Sequence, residues 1–251
     1  KEFEAWWWDQ NLPPYLSSLK DTLQTSATWS KDRKQKYLMI NVANIWDDDL
    51  ATRKVADVLG MEFQYNPVRN FGLDAIPKSY ERDASAAKYG TTSMYLATNT
   101  SSVSDHVGSF SKSEVMLGNL CWFLLSRSPN SIFYQMGTSD PAVTGWESLT
   151  WIGAMDVADR FLGEAVGPPF LLVKGTDPLG NVYHVYAREY QAGFVVLRNR
   201  GSWDEGIETQ TAVNVPLPRS LQLIAPDGTA GPLVNQVTLR NGQGALFMNS
   251  F

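Results

Sequence analysis

Four short apolar runs, each followed by a helical segment, constrain this chain most. They are Tyr37–Ala43 (YLMINVA), Gly60–Tyr65 (GMEFQY), Thr91–Ala97 (TTSMYLA) and Ser131–Met136 (SIFYQM). The first is apolar nearly throughout, as expected of a strand covered on both faces. The segments between and after them space their apolar residues as helices do: Leu50–Leu59 with Val55, Val58 and Leu59 inward, then about Ile76–Tyr89, Glu114–Ser126 and Trp151–Leu162. Upstream, residues 2–28 read as helical. Pro13-Pro14 breaks that run, and a second helix follows at Tyr15–Thr25 with Leu16, Leu19 and Leu23 on one face. Strand alternating with helix four times predicts a parallel α/β layout with right-handed crossovers.

The pattern changes after Gly167-Pro168-Pro169. From Val182 to Met248, short alternating apolar runs are punctuated by Gly, Pro, Asn and Asp turns, which predicts a small antiparallel β-sandwich. The expected organisation is an α/β part over 1–167 and a β-sandwich over 168–251. The α/β spacing suits either an open doubly wound sheet or part of a (β/α)₈ barrel. A complete barrel takes about 250 residues, so in the barrel case these are strands five to eight. Half a barrel leaves strand edges unpaired. A separate N-terminal polypeptide or segment completing it is therefore an expected partner.

Several function classes lose their support. The chain has 251 residues and a net charge of −5. It carries no Lys/Arg stripe, so nucleic acid is not an expected partner. Its longest apolar candidate, Val115–Leu125, is interrupted by Gly118 and Asn119, and no membrane span is expected. No G-x-G-x-x-G or phosphate-binding loop follows a strand, no G-x-S-x-G elbow occurs, and no Cys/His/carboxylate cluster has zinc spacing. No cofactor and no metal are therefore expected. The single Cys121 reads as a buried thiol acting as a small hydrophobe. The two histidines, His106 and His184, lie far apart. The 9 Trp, 10 Tyr and 11 Phe are compatible with a sugar-binding cleft, where aromatic faces stack on sugar C–H faces, but also with core packing.

In a barrel, working residues sit where strands end and βα loops begin. That rule selects Asn41, Asn44, Trp46 and Asp47 around the first strand, and Glu62, Tyr65, Asn66 and Arg69 around the second. It adds Asn99 after the third and Gln135 in the fourth. Together they form an amide-rich, carboxylate-bearing rim suited to hydrogen-bonding many hydroxyls. Glu62 stands out, an acid inside the apolar run Gly60-Met61-Glu62-Phe63. A carboxylate buried without a partner has a raised pKa, which a general acid needs. The alternative is a structural glutamate paired with Arg69. Asp47 is nearest the first strand end and is the better candidate for substrate contact, whereas Asp48 or Asp49 suits a helix N-cap. Trp46 reads equally as a sugar platform or as packing.

The C-terminal strands carry a resemblance. Tyr190 with Gly193-Phe194-Val195-Val196 and Asn199, then Val215-Pro216-Leu217-Pro218, then Val237 to Ala245 with Leu239, Gly242 and Gly244, look like the β-domain that closes many (β/α)₈-barrel glycoside hydrolases. With the α/β units before it, the chain resembles the C-terminal half of bacterial "hypothetical glycosyl hydrolase" families, distantly similar to α-amylase-type barrels. The resemblance implies a glycoside hydrolase acting on a polysaccharide or oligosaccharide. It makes Glu62 the best match to an acid/base position and Asp47 the second. It also puts the strand-four nucleophile before Lys1. Carbohydrate is the implied ligand, and the expected location is secreted or at the cell surface. A carbohydrate-binding or structural protein that keeps the scaffold without catalysis is the alternative, as is an unrelated α/β enzyme with an open sheet.

Overall fold

The computed structural model describes residues 11–25, 37–42, 50–63, 73–98, 111–136, 152–200 and 211–249. Its elements run α1 (Leu12–Thr25), β1 (Met39–Val42), α2 (Leu50–Val55), β2 (Val58–Phe63), α3 (Ala75–Lys88), β3 (Thr92–Thr98), α4 (Lys112–Ser126), β4 (Ile132–Met136) and α5 (Gly153–Phe161). Six strands follow: β5 (Phe170–Thr176), β6 (Val182–Tyr190), β7 (Gly193–Arg200), β8 (Val213–Ile224), β9 (Ala230–Leu239) and β10 (Gly244–Met248). The expected helix near residues 2–12 falls largely outside the described residues.

The first four strands form one parallel sheet in the order β1-β2-β3-β4, each joined to the next through a helix. The expected helix Leu50–Leu59 is corrected: it stops at Val55, and Val58 already pairs with Met39 and Thr92. Asp57 explains the stop. Its carboxylate accepts the Leu38 amide at 2.8 Å and an ion pair from Lys20 at 2.7 Å, and its own amide donates to the Leu38 carbonyl. A continued helix would forfeit these bonds and the pairing of Val58 and Leu59.

α4 is capped by Ser111, whose hydroxyl accepts the Glu114 amide while the Glu114 carboxylate accepts the Ser111 amide. Every residue from Met116 to Ser126 is buried. That explains an apolar helix with little sidedness: α4 lies between two sheets. One hydrophobic cluster joins Leu59 and Tyr95 of the parallel sheet, most of α4, and Tyr186, Tyr190, Val195, Leu197, Leu246 and Met248 of the second sheet. Gly244 permits the contact, since a Cβ there would lie 2.6 Å from the Cys121 Cβ and 2.7 Å from its Sγ.

The second sheet is antiparallel, ordered β5-β6-β7-β10-β8-β9. This differs from the two stacked sheets of a sandwich. One six-stranded sheet curls on itself, with β8 shifting register between Pro216 and Leu221 and again near Ile224. The curl brings Val185, Ala187, Phe194 and Val196 into one core with Val213, Val215, Leu221 and Leu239. No helix among the described residues is long and apolar enough to cross a membrane.

Candidate functional site

Because β1 to β4 are parallel, their C-terminal ends lie along one edge of the sheet, its head. Their register forms rows across the strands. Val42, Met61, Tyr95 and Phe133 share one row, and Ile40 and Leu59 lie two residues earlier on the same face. That face is covered by α4: Phe123 sits 5.3 Å from the Tyr95 ring and 5.1 Å from the Phe133 ring. Rows of the other parity belong to the face opposite α4. They hold Asn41, Gly60, Met94 and Ile132, then Glu62, Leu96 and Tyr134. On this face Met39 and Ile132 are each 45% exposed.

By register Glu62 therefore occupies a head-end position in a row of this second parity, one row beyond Asn41 on the neighbouring strand. Gln135 shares the next row with Phe63 and Ala97, of the parity that α4 covers. Asn44, Trp46, Asp47, Tyr65, Asn66, Arg69 and Asn99 lie outside the described residues.

A polar cluster unforeseen from sequence lies at the same end, where α3 begins. His184 of β6 is buried, and its Nδ1 lies 3.3 Å from both the Leu73 carbonyl and the Tyr186 hydroxyl, and 3.9 Å from Asp74. Tyr186 donates to Asp74 at 3.3 Å. The Leu73 carbonyl can only accept, so Nδ1 is the donor in that contact. Burial, followed by the Asp74 charge, raises the Tyr186 pKa far above its ordinary value, so this phenol stays protonated. The only sequence signal was a histidine inside the run Val182-Tyr183-His184-Val185-Tyr186; Leu73 lies 111 residues from His184, and Asp74 lies 112 from Tyr186.

At the opposite end, the foot, Asp83 of α3 is fully buried. It accepts from Tyr95 Oη at 3.0 Å, the Ser128 amide at 2.8 Å, the Ser128 hydroxyl at 3.1 Å and the Ser131 hydroxyl. Beside it Arg188 of β6 donates Nε to the Gly167 carbonyl at 2.8 Å and Nη1 to the Leu124 and Arg127 carbonyls at 3.0 and 2.7 Å, closing the C-terminus of α4. In the curled sheet, Arg198 and Asp177 form a fully buried pair at 3.5 Å, and Asp177 also accepts the Leu179 and Asn181 amides. Burial pushes the Cys121 thiol far up, which removes it as a nucleophile. Among the described residues no group of three or more His, Cys, Asp or Glu could hold a metal ion.

No family model matches this chain, and no curated protein does. Among solved structures it is similar to a crystal structure of a glucosidase from Croceicoccus marinus. The likeness is at 12% identity and a TM-score of 0.40, covering 96% of this chain and 66% of that chain. The chain thus spans just under two thirds of that structure's length.

Proposed function

We propose that this chain forms the second half of a (β/α)₈ barrel with its closing β-domain, and belongs to a glycoside hydrolase acting on a polysaccharide or oligosaccharide. The observation that carries this reading is the row position of Glu62. It is an acid in a head-end row of a parallel βα array, at the strand ends where the barrel rule puts chemistry. The β-domain resemblance from Tyr190 to Asn199 supports it from the other end of the chain.

In this reading Glu62 protonates the leaving glycosidic oxygen; a partner carboxylate close by bonds to the sugar carbon as that oxygen leaves and Glu62 then deprotonates the water that displaces it, whereas a more distant partner deprotonates the attacking water itself. The partner carboxylate, about 5–9 Å away, comes from a preceding segment or polypeptide. Asp47 is the second acidic candidate. Asn41, Asn44, Trp46, Tyr65, Asn66, Arg69, Asn99 and Gln135 supply hydroxyl contacts and stacking. Secretion or surface display fits a polymeric substrate, and cell fractionation tests it.

The deciding test is Glu62→Gln in the natural protein, against oligosaccharides and against aryl glycosides with good leaving groups. Loss of the acid lowers oligosaccharide hydrolysis by about 10²–10⁴-fold. The aryl substrates, which need little protonation, fall less. Equal activity of Glu62→Gln and wild type would remove Glu62 from the mechanism. Saturable sugar binding by wild type with no turnover on any substrate would replace the enzyme with a carbohydrate-binding protein.

A further inference from the structure

A second site lies at the foot of the parallel sheet. A cavity of about 240 Å³ opens between the turn joining α4 to β4 and the segment that leads into β5. Arg127, Arg188, Tyr80, Ser128, Glu164 and Pro168 line it. It is smaller than the roughly 300–1,000 Å³ of drug-sized ligand pockets, so its occupant is small.

The charges in this cavity are unusual for the molecule. Arg160, Arg198, Arg219 and Arg240 each pair with a carboxylate. Arg127 and Arg188 pair with none among the described residues. Both guanidinium groups are instead held by aromatic rings. Arg188 lies 5.1 Å from the Tyr80 ring and 5.7 Å from the Tyr190 ring, and Arg127 lies 5.5 Å from Tyr190 and 5.9 Å from Phe123. Two cations thus share one ring at the wall of one cavity.

Arg188 is also rigid. It is 5% exposed, and its Nε and Nη1 are committed to backbone carbonyls. Its Nη2 donates to no acceptor among the described residues. The nearby acid Asp83 is already saturated by four donors. Glu164 is exposed and forms no ion pair with either arginine among the described residues.

We propose that this cavity binds a small oxyanion, the carboxylate or phosphate group of a compact metabolite, between Arg127 and Arg188. An anion there offsets the repulsion of two unpaired guanidinium groups and uses donors already fixed in place, so little ordering cost remains at binding. Tyr80 and Pro168 give the ligand apolar walls, and Glu164 sits where it can accept from a hydroxyl or ammonium group of the same molecule. The site is independent of the head of the sheet and of the hydrolase reading.

Titration calorimetry of the full chain with phosphate and with acetate, each against chloride at matched ionic strength, tests this. The expected result is saturable binding of at least one of the two, weakened about tenfold or more by Arg127→Gln. Glu164→Gln, an exposed change that removes a repelling charge, tightens it a few-fold. Preference for phosphate identifies a phosphorylated ligand, and preference for acetate a carboxylic acid. Should Arg127→Gln fail to fold, Glu164→Gln still decides. Absence of saturable binding of either anion by wild type, or affinity unchanged by the substitutions that fold, overturns the proposal.

Discussion

Asp83 offers the sharpest quantitative test of how the foot is held. Its carboxylate collects four donors from three places in the chain: Tyr95 on β3, the Ser128 amide and hydroxyl, and the Ser131 hydroxyl at the start of β4. In Asp83→Asn, one oxygen survives and an NH₂ group replaces the other. Oδ2 takes the Tyr95 hydroxyl, the Ser128 amide and the Ser131 hydroxyl, and Oδ1 takes only the Ser128 hydroxyl, so the new side chain keeps its oxygen at the Oδ2 place and turns its NH₂ to the Ser128 hydroxyl, which rotates to accept. The three bonds to that oxygen persist but lose their charge assistance, at about 1 kcal/mol each. The expected total is about 3 kcal/mol, which corresponds to a fall in Tm of roughly 6–12 °C for a chain of this size. Tyr95→Phe removes one donor, leaves three, and costs about 1 kcal/mol. Urea denaturation followed by tryptophan fluorescence, with the double variant completing a cycle, measures both. If Asp83→Asn costs under about 1 kcal/mol, or Tyr95→Phe costs as much as Asp83→Asn, the carboxylate is not the hub of this network.

The other expectations concern the packing of α4, the curled sheet and alkaline stability. Gly244→Ala drives a methyl into Cys121 and destabilises the chain by about 1–3 kcal/mol, read by thermal melting; an unchanged Tm would mean β10 does not press on α4. Asp177→Ala leaves Arg198 buried without its carboxylate and frees the Leu179 and Asn181 amides, costing about 3–5 kcal/mol in urea denaturation; a loss under 1 kcal/mol would contradict the pairing. Burial raises the pKa values of Tyr95, Tyr186 and Tyr190. Above the unfolded phenol pKa near 10, the unfolded chain releases protons that the folded chain keeps. The stability these groups confer is therefore full below about pH 10 and declines as pH rises beyond it; equilibrium unfolding at a series of alkaline pH values shows that slope, and a flat profile would refute it.

Much of the α/β half was legible because it rests on local pattern. The apolar runs locate β1 to β4 within about two residues, since a strand covered on its helix side needs them. The end of α2 was not legible: Val55, Val58 and Leu59 fit helical spacing, and only the Asp57 bonds to Leu38 and Lys20 stop the helix. Strands in the C-terminal part were readable from their turns, but the number of sheets was not. Whether six strands stack as two layers or curl as one depends on register shifts in β8, which no local period encodes. The head-end rule located Glu62 and Asn41 on strands that the structure describes. The His184–Tyr186–Asp74 cluster was invisible for a different reason, since its members meet only when β6 crosses the start of α3.

The two ends of the parallel sheet are built on different principles, and α4 accounts for the difference. At the foot, Arg188 reaches from β6 to the last carbonyls of α4, and Asp83 ties α3 to the turn that follows it. The Arg188 contacts join residues on both sides of position 167, and a cut there would strip Tyr186, Tyr190, Val195, Leu197, Leu246 and Met248 from the cluster around α4. An apolar helix left bare on that side cannot be satisfied by the parallel sheet alone. The curled sheet is therefore part of the core that holds β1 to β4 in register, rather than an appended module. At the head, by contrast, the rows of Asn41 and Glu62 alternate with those that α4 covers. Buried polar bonds that tie α3, α4 and β6 together thus gather at the foot, where the two sheets meet around α4.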